Sequence, residues 1–170
     1  MKRVEIKQLL TAGIADSEVL VKAWVKTKRG SKNVSFIALN DGSCMDNIQV
    51  VVDNGNFDES TLENINSGAC LSVKGKLVES QGSGQQFEIH ATEVELLGAA
   101  NPDEYPIQPK KHSLEFLREN AHLRFRTNTF GAVSRIRHAM IFAVHQFFND
   151  RGFYNIHTPI ITASDAEGAG

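Results

Sequence analysis

Cations, an aromatic ring and an amide lie close together in the sequence between residues 19 and 49 of this 170-residue chain. Lysine and arginine attract phosphate, an exposed ring stacks on an unpaired base with about 1–3 kcal/mol, and an amide can read a Watson–Crick edge. Phe36 supplies the ring and Gln49 the amide. The five cations between residues 19 and 39, where no acidic residue occurs, are Lys22, Lys26, Lys28, Arg29 and Lys32. The same pattern also fits a solvated strand face with Phe36 in the core, so these residues leave nucleic-acid binding and a structural role open.

A second group of basic residues lies between residues 117 and 127 and consists of Arg118, His122, Arg124 and Arg126. Arginine can bind a phosphate with two parallel hydrogen bonds, but it can equally anchor one segment of a chain on another. No glycine-rich phosphate-binding loop accompanies these residues, so the sequence favours the structural role.

A third candidate is a loop of small residues at 164–170 that contains Asp165 and Glu167. A carboxylate beside glycines can receive the ammonium group of a ligand, or it can be an ordinary surface acid. The pattern alone favours the surface acid.

The composition indicates a folded globular protein. Hydrophobic residues make up 41% of the chain and charged residues 22%, and the net charge of −2 argues against a protein that coats nucleic acid indiscriminately. The first seven residues do not resemble a signal peptide, and no apolar run is long enough to span a membrane, so a cytoplasmic location is expected. Cys44 and Cys70 belong to no C-x-x-C pair, so reduced thiols are expected rather than a disulfide or a metal site.

The first hundred residues show the period of two that is typical of half-buried strands. Val21, Ala23 and Val25 alternate with Lys22, Trp24 and Lys26, which predicts opposite faces for the two sets. Further strands are expected at 33–39, 48–52, 70–78 and 86–97, with a short helix at 57–65. Five strands with a helix between the third and the fourth predict a five-stranded Greek-key β-barrel of the OB type. A small β-sandwich is the alternative, and the helix position favours the barrel.

The second part of the chain follows a linker and has a different period. Three of the four prolines lie within residues 101–110, which excludes a continuous helix or central strand there. Apolar residues with a period of 3.6 then predict a helix over residues 129–150, and a strand is expected at 153–158, ending at Pro159. One helix and one strand cannot enclose a core, so the apolar face of this helix must pack on something outside the sequence.

Three segments together resemble one family. The runs HLRFRTNTFG at 122–131, RGF at 151–153 and HTPIITASDAEGAG at 157–170 closely resemble bacterial-type asparaginyl-tRNA synthetases, which belong to the class IIb group with the aspartate and lysine enzymes. The resemblance covers the whole chain, because that group has an N-terminal OB barrel, a hinge and then a catalytic domain. It implies an OB barrel at 1–98, a hinge at 99–115 and, at 116–170, the truncated beginning of an α+β class II catalytic domain.

The resemblance also implies roles for individual residues. Phe36 and Gln49 match the positions that stack on and read the central anticodon uridine. Arg29, with Lys28 beside it, matches a basic contact of the anticodon loop, and Glu88 matches an acidic contact on the last strand. Glu167 matches the carboxylate that receives the α-ammonium group of the substrate. At the dimer interface of the family, the residues matched are Phe147, Phe148 and the motif proline Pro159.

The activity implied for the full-length enzyme is the attachment of asparagine to tRNA(Asn). Asparagine attacks the α-phosphate of Mg²⁺-bound ATP, which gives asparaginyl-adenylate and pyrophosphate. The terminal ribose hydroxyl of the tRNA then attacks the acyl group and AMP is released, in a homodimer without membrane contact. The motifs that bind ATP and Mg²⁺ lie beyond residue 170, so no catalytic residue and no metal ligand are expected in this segment, which alone would be inactive. The alternatives are an aspartyl-tRNA synthetase, a non-catalytic tRNA-binding and dimerisation module, and a general single-strand-binding OB protein.

Overall fold

The five strands of the described chain form a closed barrel in the computed structural model, which describes residues 1–82 and 84–161. The strands are β1 (Glu18–Gly30), β2 (Val34–Asn40), β3 (Ile48–Asp53), β4 (Cys70–Glu79) and β5 (Phe87–Gly98). Their order around the barrel is β1-β2-β3-β5-β4, in which β3 pairs with β5 in parallel and all other pairs are antiparallel. The predicted five-stranded barrel is therefore confirmed. The predicted helix between β3 and β4 is also present, but it is shorter than expected, as α2 (Glu59–Glu63).

Buried apolar side chains alternate with more exposed side chains along the strands, and the buried set fills the interior of the barrel. On β2, Ile37 and Leu39 are fully buried, whereas the preceding Phe36 is only half-buried and points outward. On β3, Ile48 and Val50 are buried and Gln49 is half-buried. Because side chains of a strand point to alternate faces, the apolar set occupies the interior and the polar set the surface.

A helix that the pattern did not predict packs on this core. α1 (Ile6–Ala12) buries Ile6 and Leu9, and the Asp41 carboxylate accepts a hydrogen bond from the backbone N–H of Ile6 at 3.1 Å. Two buried positions in two turns give too weak a periodic signal to identify a helix from the sequence.

Residues 99–131 belong to the same compact unit as the barrel, which extends from Met1 to Gly131. This segment contains α3 (Leu114–Glu119), whose Leu117 is buried, and a short 3₁₀ turn at Arg124–Arg126. The ring of Tyr105 lies against Gly68, where an added Cβ would come within 2.7 Å of it. The proline-containing segment is therefore fixed on the barrel. The domain limits predicted from the sequence, at residues 98 and 115, remain a prediction.

The second unit spans residues 132–170 and is described up to residue 161. It contains most of α4 (Asn128–Asn149), whose start is capped by the Thr127 hydroxyl, which accepts a hydrogen bond from the Phe130 N–H at 3.4 Å. Gly152 follows the helix with φ +81°. No helix among the described residues is long and apolar enough to cross a membrane.

The strand predicted at 153–158 is absent, and this prediction is wrong for the described chain. A strand requires a neighbour that pairs with its N–H and C=O groups. None of the described residues provides such a neighbour, so the segment up to Pro159 has no regular secondary structure.

Candidate nucleic-acid interface

Phe36 and Arg29, two of the residues expected to contact the anticodon, lie side by side on the outward face of β1, β2 and β3. Phe36 on β2 is the pairing partner of Arg29 on β1 and of Val51 on β3. Arg29 is exposed and Phe36 is half-buried, so both side chains are accessible from the same side of the sheet. A ring with a cation beside it can stack on a base and attract its phosphate.

A chain of hydrogen bonds crosses this face from β1 to β5. Arg29 Nη2 donates to Gln49 Oε1 at 3.4 Å, and Gln49 Nε2 donates to Glu88 Oε2 at 3.2 Å. The parallel pairing of β3 with β5 sets Gln49 directly beside Glu88. Four residues assigned to one site from the resemblance thus lie on one face of adjacent strands, with Phe36 paired to Arg29 and Gln49 paired to Glu88.

Three residues that the sequence did not single out surround Glu88. Ser80 Oγ donates to Glu88 Oε2 at 3.0 Å and Gln85 Nε2 to the same oxygen at 3.3 Å. His90 Nε2 lies 3.2 Å from Glu88 Oε1. The polar composition of the loop between β4 and β5 was the only feature of the sequence that pointed to Ser80 and Gln85. Only the fold shows that these two side chains donate hydrogen bonds to the Glu88 carboxylate.

Lys28 does not join these residues. β1 carries a bulge between Val25 and Thr27, so the alternation of inward and outward side chains reverses along the strand. Lys28 pairs with the inward-facing Ile37, and its ammonium donates to the backbone carbonyl of Leu62. Burial lowers the pKa of Lys28, against the opposing effect of Glu63. The structure therefore separates Lys28 from the face that holds its neighbour Arg29.

The second basic group has structural contacts. The Arg126 guanidinium lies 4.8 Å from the centre of the Trp24 ring, and the Arg126 carbonyl accepts a hydrogen bond from Lys26 Nζ. Burial and the adjacent Arg126 charge both lower the pKa of Lys26. The Arg124 guanidinium lies 5.3 Å from the centre of the Phe125 ring and 4.6 Å from the centre of the Phe130 ring. These contacts agree with the anchoring role that the sequence favoured over phosphate binding.

The remaining predicted site residues lie in the second unit or outside the described chain. Phe147 and Phe148 on α4 are about half exposed and stack edge to face at 5.4 Å. The Arg151 guanidinium lies 3.6 Å from the centre of the Phe147 ring. Pro159 is exposed. Glu167 lies outside the described residues. Within the described chain, no three His, Cys, Asp or Glu side chains are grouped so that they could hold a metal ion.

Two known families match successive parts of the chain. Residues 19–97 match the family described as OB-fold nucleic acid binding domain, and residues 113–170 match tRNA synthetases class II (D, K and N).

Curated relatives match the whole chain. The asparagine–tRNA ligase of Cytophaga hutchinsonii is 57% identical over 172 residues, and that of Bacteroides fragilis is 59% identical over 170 residues. The alignments cover 100% of this chain but only 37% and 36% of those proteins. The chain thus spans little more than a third of the length of the curated relatives that it matches.

Solved structures show the same fold. The asparaginyl-tRNA synthetase of Pyrococcus horikoshii, complexed with asparaginyl-adenylate, superposes with a TM-score of 0.84 and 22% identity over 99% of this chain and 39% of its own. A putative aspartyl-tRNA synthetase from Leishmania major gives a TM-score of 0.77 at 20% identity, over 93% of this chain and 34% of its own. At these identities the likeness establishes the fold alone. The whole-chain identity to the curated relatives and the match of residues 113–170 show that the chain belongs to the class II tRNA synthetases of the D, K and N type, and its relatives at 57% and 59% identity in that family are asparagine–tRNA ligases.

Proposed function

We propose that the intact protein is an asparagine–tRNA ligase and that this chain supplies its anticodon-binding barrel and the beginning of its catalytic domain. The observation that carries the proposal is the common outward face of an OB barrel on which Arg29, Phe36, Gln49 and Glu88 lie. A ring, an amide and a cation side by side are the groups needed to hold an unstacked base and its phosphate. The contribution of the barrel is then selection of the tRNA.

The substrates of the intact protein are then asparagine, ATP and tRNA(Asn), and its location is the cytoplasm. The relatives at 55–59% identity are named asparagine–tRNA ligases, which favours asparagine over aspartate although the fold is shared with an aspartyl enzyme. ATP is expected with Mg²⁺, and the described residues contain no group of side chains fitted to that ion. Glu167 is proposed to receive the α-ammonium group of asparagine. If pyrophosphate exchange of the intact protein is unchanged in Glu167→Gln, this role is wrong.

The apolar face of α4 is proposed to pack on the rest of the catalytic domain and on a second subunit, with Phe147, Phe148 and Pro159 at the subunit contact. Large apolar side chains that remain exposed on one helix support this proposal. Sedimentation equilibrium of the intact protein is expected to give a dimer that Phe148→Asp dissociates. A monomeric wild type would contradict the proposal.

The test of anticodon binding is the affinity of the intact protein for tRNA(Asn), compared with the same tRNA carrying the aspartate anticodon, at one fixed salt concentration. A clear preference for the asparagine anticodon is expected. Phe36→Ala is expected to weaken tRNA(Asn) binding by about 1–3 kcal/mol without unfolding the barrel, whereas Phe36→Tyr retains the ring and the binding. Equal and steeply salt-dependent binding to both tRNAs would reduce the barrel to a general basic surface.

A matched pair of variants tests the position of the site on the barrel. Arg29→Gln and Lys28→Gln remove the same charge from adjacent residues, but only Arg29 lies beside Phe36 and Gln49. Arg29→Gln is expected to reduce the preference for the asparagine anticodon, and Lys28→Gln is expected to leave it unchanged. The opposite result would place the site on the other face of β1.

A further inference from the structure

The Gln49 amide is held by two groups of opposite charge. Its Oε1 accepts from the Arg29 guanidinium at 3.4 Å and its Nε2 donates to the Glu88 carboxylate at 3.2 Å. A half-turn of the amide would direct its oxygen at the carboxylate and its NH₂ group at the guanidinium, which are both repulsive contacts. The two neighbours therefore favour one of the two orientations of the amide.

The orientation decides which base an amide can read. One N–H and one lone pair of Gln49 are used by Glu88 and Arg29, and an amide has a second of each for a ligand. Uracil presents an N–H donor beside a carbonyl acceptor on its Watson–Crick edge, and cytosine presents an acceptor and a donor in exchanged places. An amide that turns freely can pair with either base, whereas a fixed amide discriminates between them.

Glu88 is itself held by the hairpin that joins β4 and β5. Its side chain is only 13% exposed, and Oε2 accepts from Ser80 Oγ at 3.0 Å and from Gln85 Nε2 at 3.3 Å, in addition to Gln49. The Ser80 hydroxyl also accepts from Gly82 N and from Gln85 Nε2, each at 3.2 Å. The turn is thereby folded back onto the carboxylate.

We propose that Ser80 and Gln85 are positioning residues for anticodon recognition, which hold Glu88 and thereby keep the Gln49 amide in one orientation. This inference rests on the proposed function, since it assigns a role within the same site. Gln49, Ser80 and Gln85 all donate to Oε2, and the Glu88 side chain is largely buried, so Glu88 acts on the base through Gln49. Loss of these positioning bonds makes the amide free to turn and lowers discrimination more than affinity.

The experiment measures kcat/KM of asparaginylation by the intact protein for tRNA(Asn) and for a transcript in which only the central anticodon uridine is replaced by cytidine. The ratio of the two values reports discrimination at that base. The double variant Ser80→Ala/Gln85→Ala is expected to lower this ratio about tenfold, because hydrogen bonds to a charged group are lost. Pyrophosphate exchange with asparagine is expected to remain at the wild-type rate.

Two controls separate positioning from a general loss of structure. Ser80→Thr keeps the hydroxyl and is expected to keep the ratio. Gln81→Ala removes an amide like that of Gln85 from the same turn, but from an exposed side chain, and is also expected to keep the ratio. If the double variant does not fold, as judged by circular dichroism, Gln85→Glu replaces it. That substitution sets a second carboxylate against Glu88 and is expected to lower the ratio at least as much.

Three outcomes would overturn the inference, and they are distinguishable. A wild-type ratio in a folded double variant, with a wild type that discriminates, contradicts the positioning role alone. An equal fall of kcat/KM for both transcripts shows that the hairpin is only structural. A wild type that does not asparaginylate tRNA(Asn) overturns the proposed function and this inference with it.

Discussion

Residues 1–131 and the part of α4 that follows them contain similar kinds of apolar residues and bury them very differently. In the barrel unit, aliphatic side chains such as Ile37, Val50 and Leu71 are fully buried. On α4, from Ala132 onward, many large apolar side chains are half exposed or more, namely Val133, Ile136, Met140, Ile141, Phe142, Val144 and Phe147. The barrel unit buries its apolar side chains in its own core, whereas the apolar side chains of this part of the helix remain exposed.

This difference indicates where the stability of the chain resides. Burial of an aliphatic side chain stabilises the folded state by about 1.5–3 kcal/mol, and the barrel contains many such residues around a closed sheet. A helix without packed neighbours depends on its internal hydrogen bonds and its propensity, which are marginal in water. Stability measurements on this chain should therefore report on the barrel unit.

The largest contrast is expected between equal truncations in the two regions. Leu71→Ala removes a fully buried side chain and is expected to lower the free energy of unfolding by about 2–5 kcal/mol. Ile136→Ala shortens a side chain that is 64% exposed, and its effect is expected to stay within about 0.5 kcal/mol. Urea unfolding followed by circular dichroism measures both. Comparable losses would mean that the α4 face is already packed in solution.

A smaller contrast tests whether residues 99–131 are fixed on the barrel. Gly68 and Gly42 both have positive φ, +92° and +83°, but an added Cβ meets the Tyr105 ring only at Gly68. Gly42→Ala is expected to cost about 1–2 kcal/mol from the backbone alone. Gly68→Ala is expected to cost about 1–3 kcal/mol more, because the ring must move. Equal thermal stabilities of the two variants would show that Tyr105 does not pack there.

The smallest expected effect concerns the attachment of α1 to the barrel and depends on pH. Burial raises the pKa of Asp41, but hydrogen bonds from Ser43, Ile6 and Arg3 outweigh this and lower it below 3.8. Because the folded-state pKa is the lower one, the contribution is present above about pH 3.8 and is lost as the pH falls through the folded-state value. Asp41→Asn is expected to cost about 1–2 kcal/mol at pH 7 and less in acid.

The control for this prediction is Asp46→Asn, which makes the same change of charge in the same loop without a bond to α1. Unfolding by urea at several pH values compares the two variants. A stability difference that does not diminish in acid would contradict the assigned role of the Asp41 carboxylate.

Local patterns made much of the barrel predictable. The five strands were expected from the period of two, and the structure decides between the two positions that the sequence left open for Phe36, because Ile37 and Leu39 are buried and Phe36 lies on the outer face. The period of 3.6 predicted α4 to within one residue at either end. Because these features depend on residues that are close together in the sequence, the pattern of the sequence is sufficient to predict them.

Other features depend on pairing between distant strands. The bulge in β1 reverses the direction of Lys28, and no residue type around it indicated this. The absence of the strand expected at 153–158 has the same origin, since a strand forms only with a partner.

The sequence by itself thus determined the five strands, the long helix and the resemblance to the family. Only the tertiary structure decided that Arg29, Gln49 and Glu88 join in one row and that Ser80 and Gln85 close over Glu88. Periodicity in the sequence shows which residues of one strand point to the same face. The register between strands that are far apart in the chain is set by closure of the barrel around a shared core.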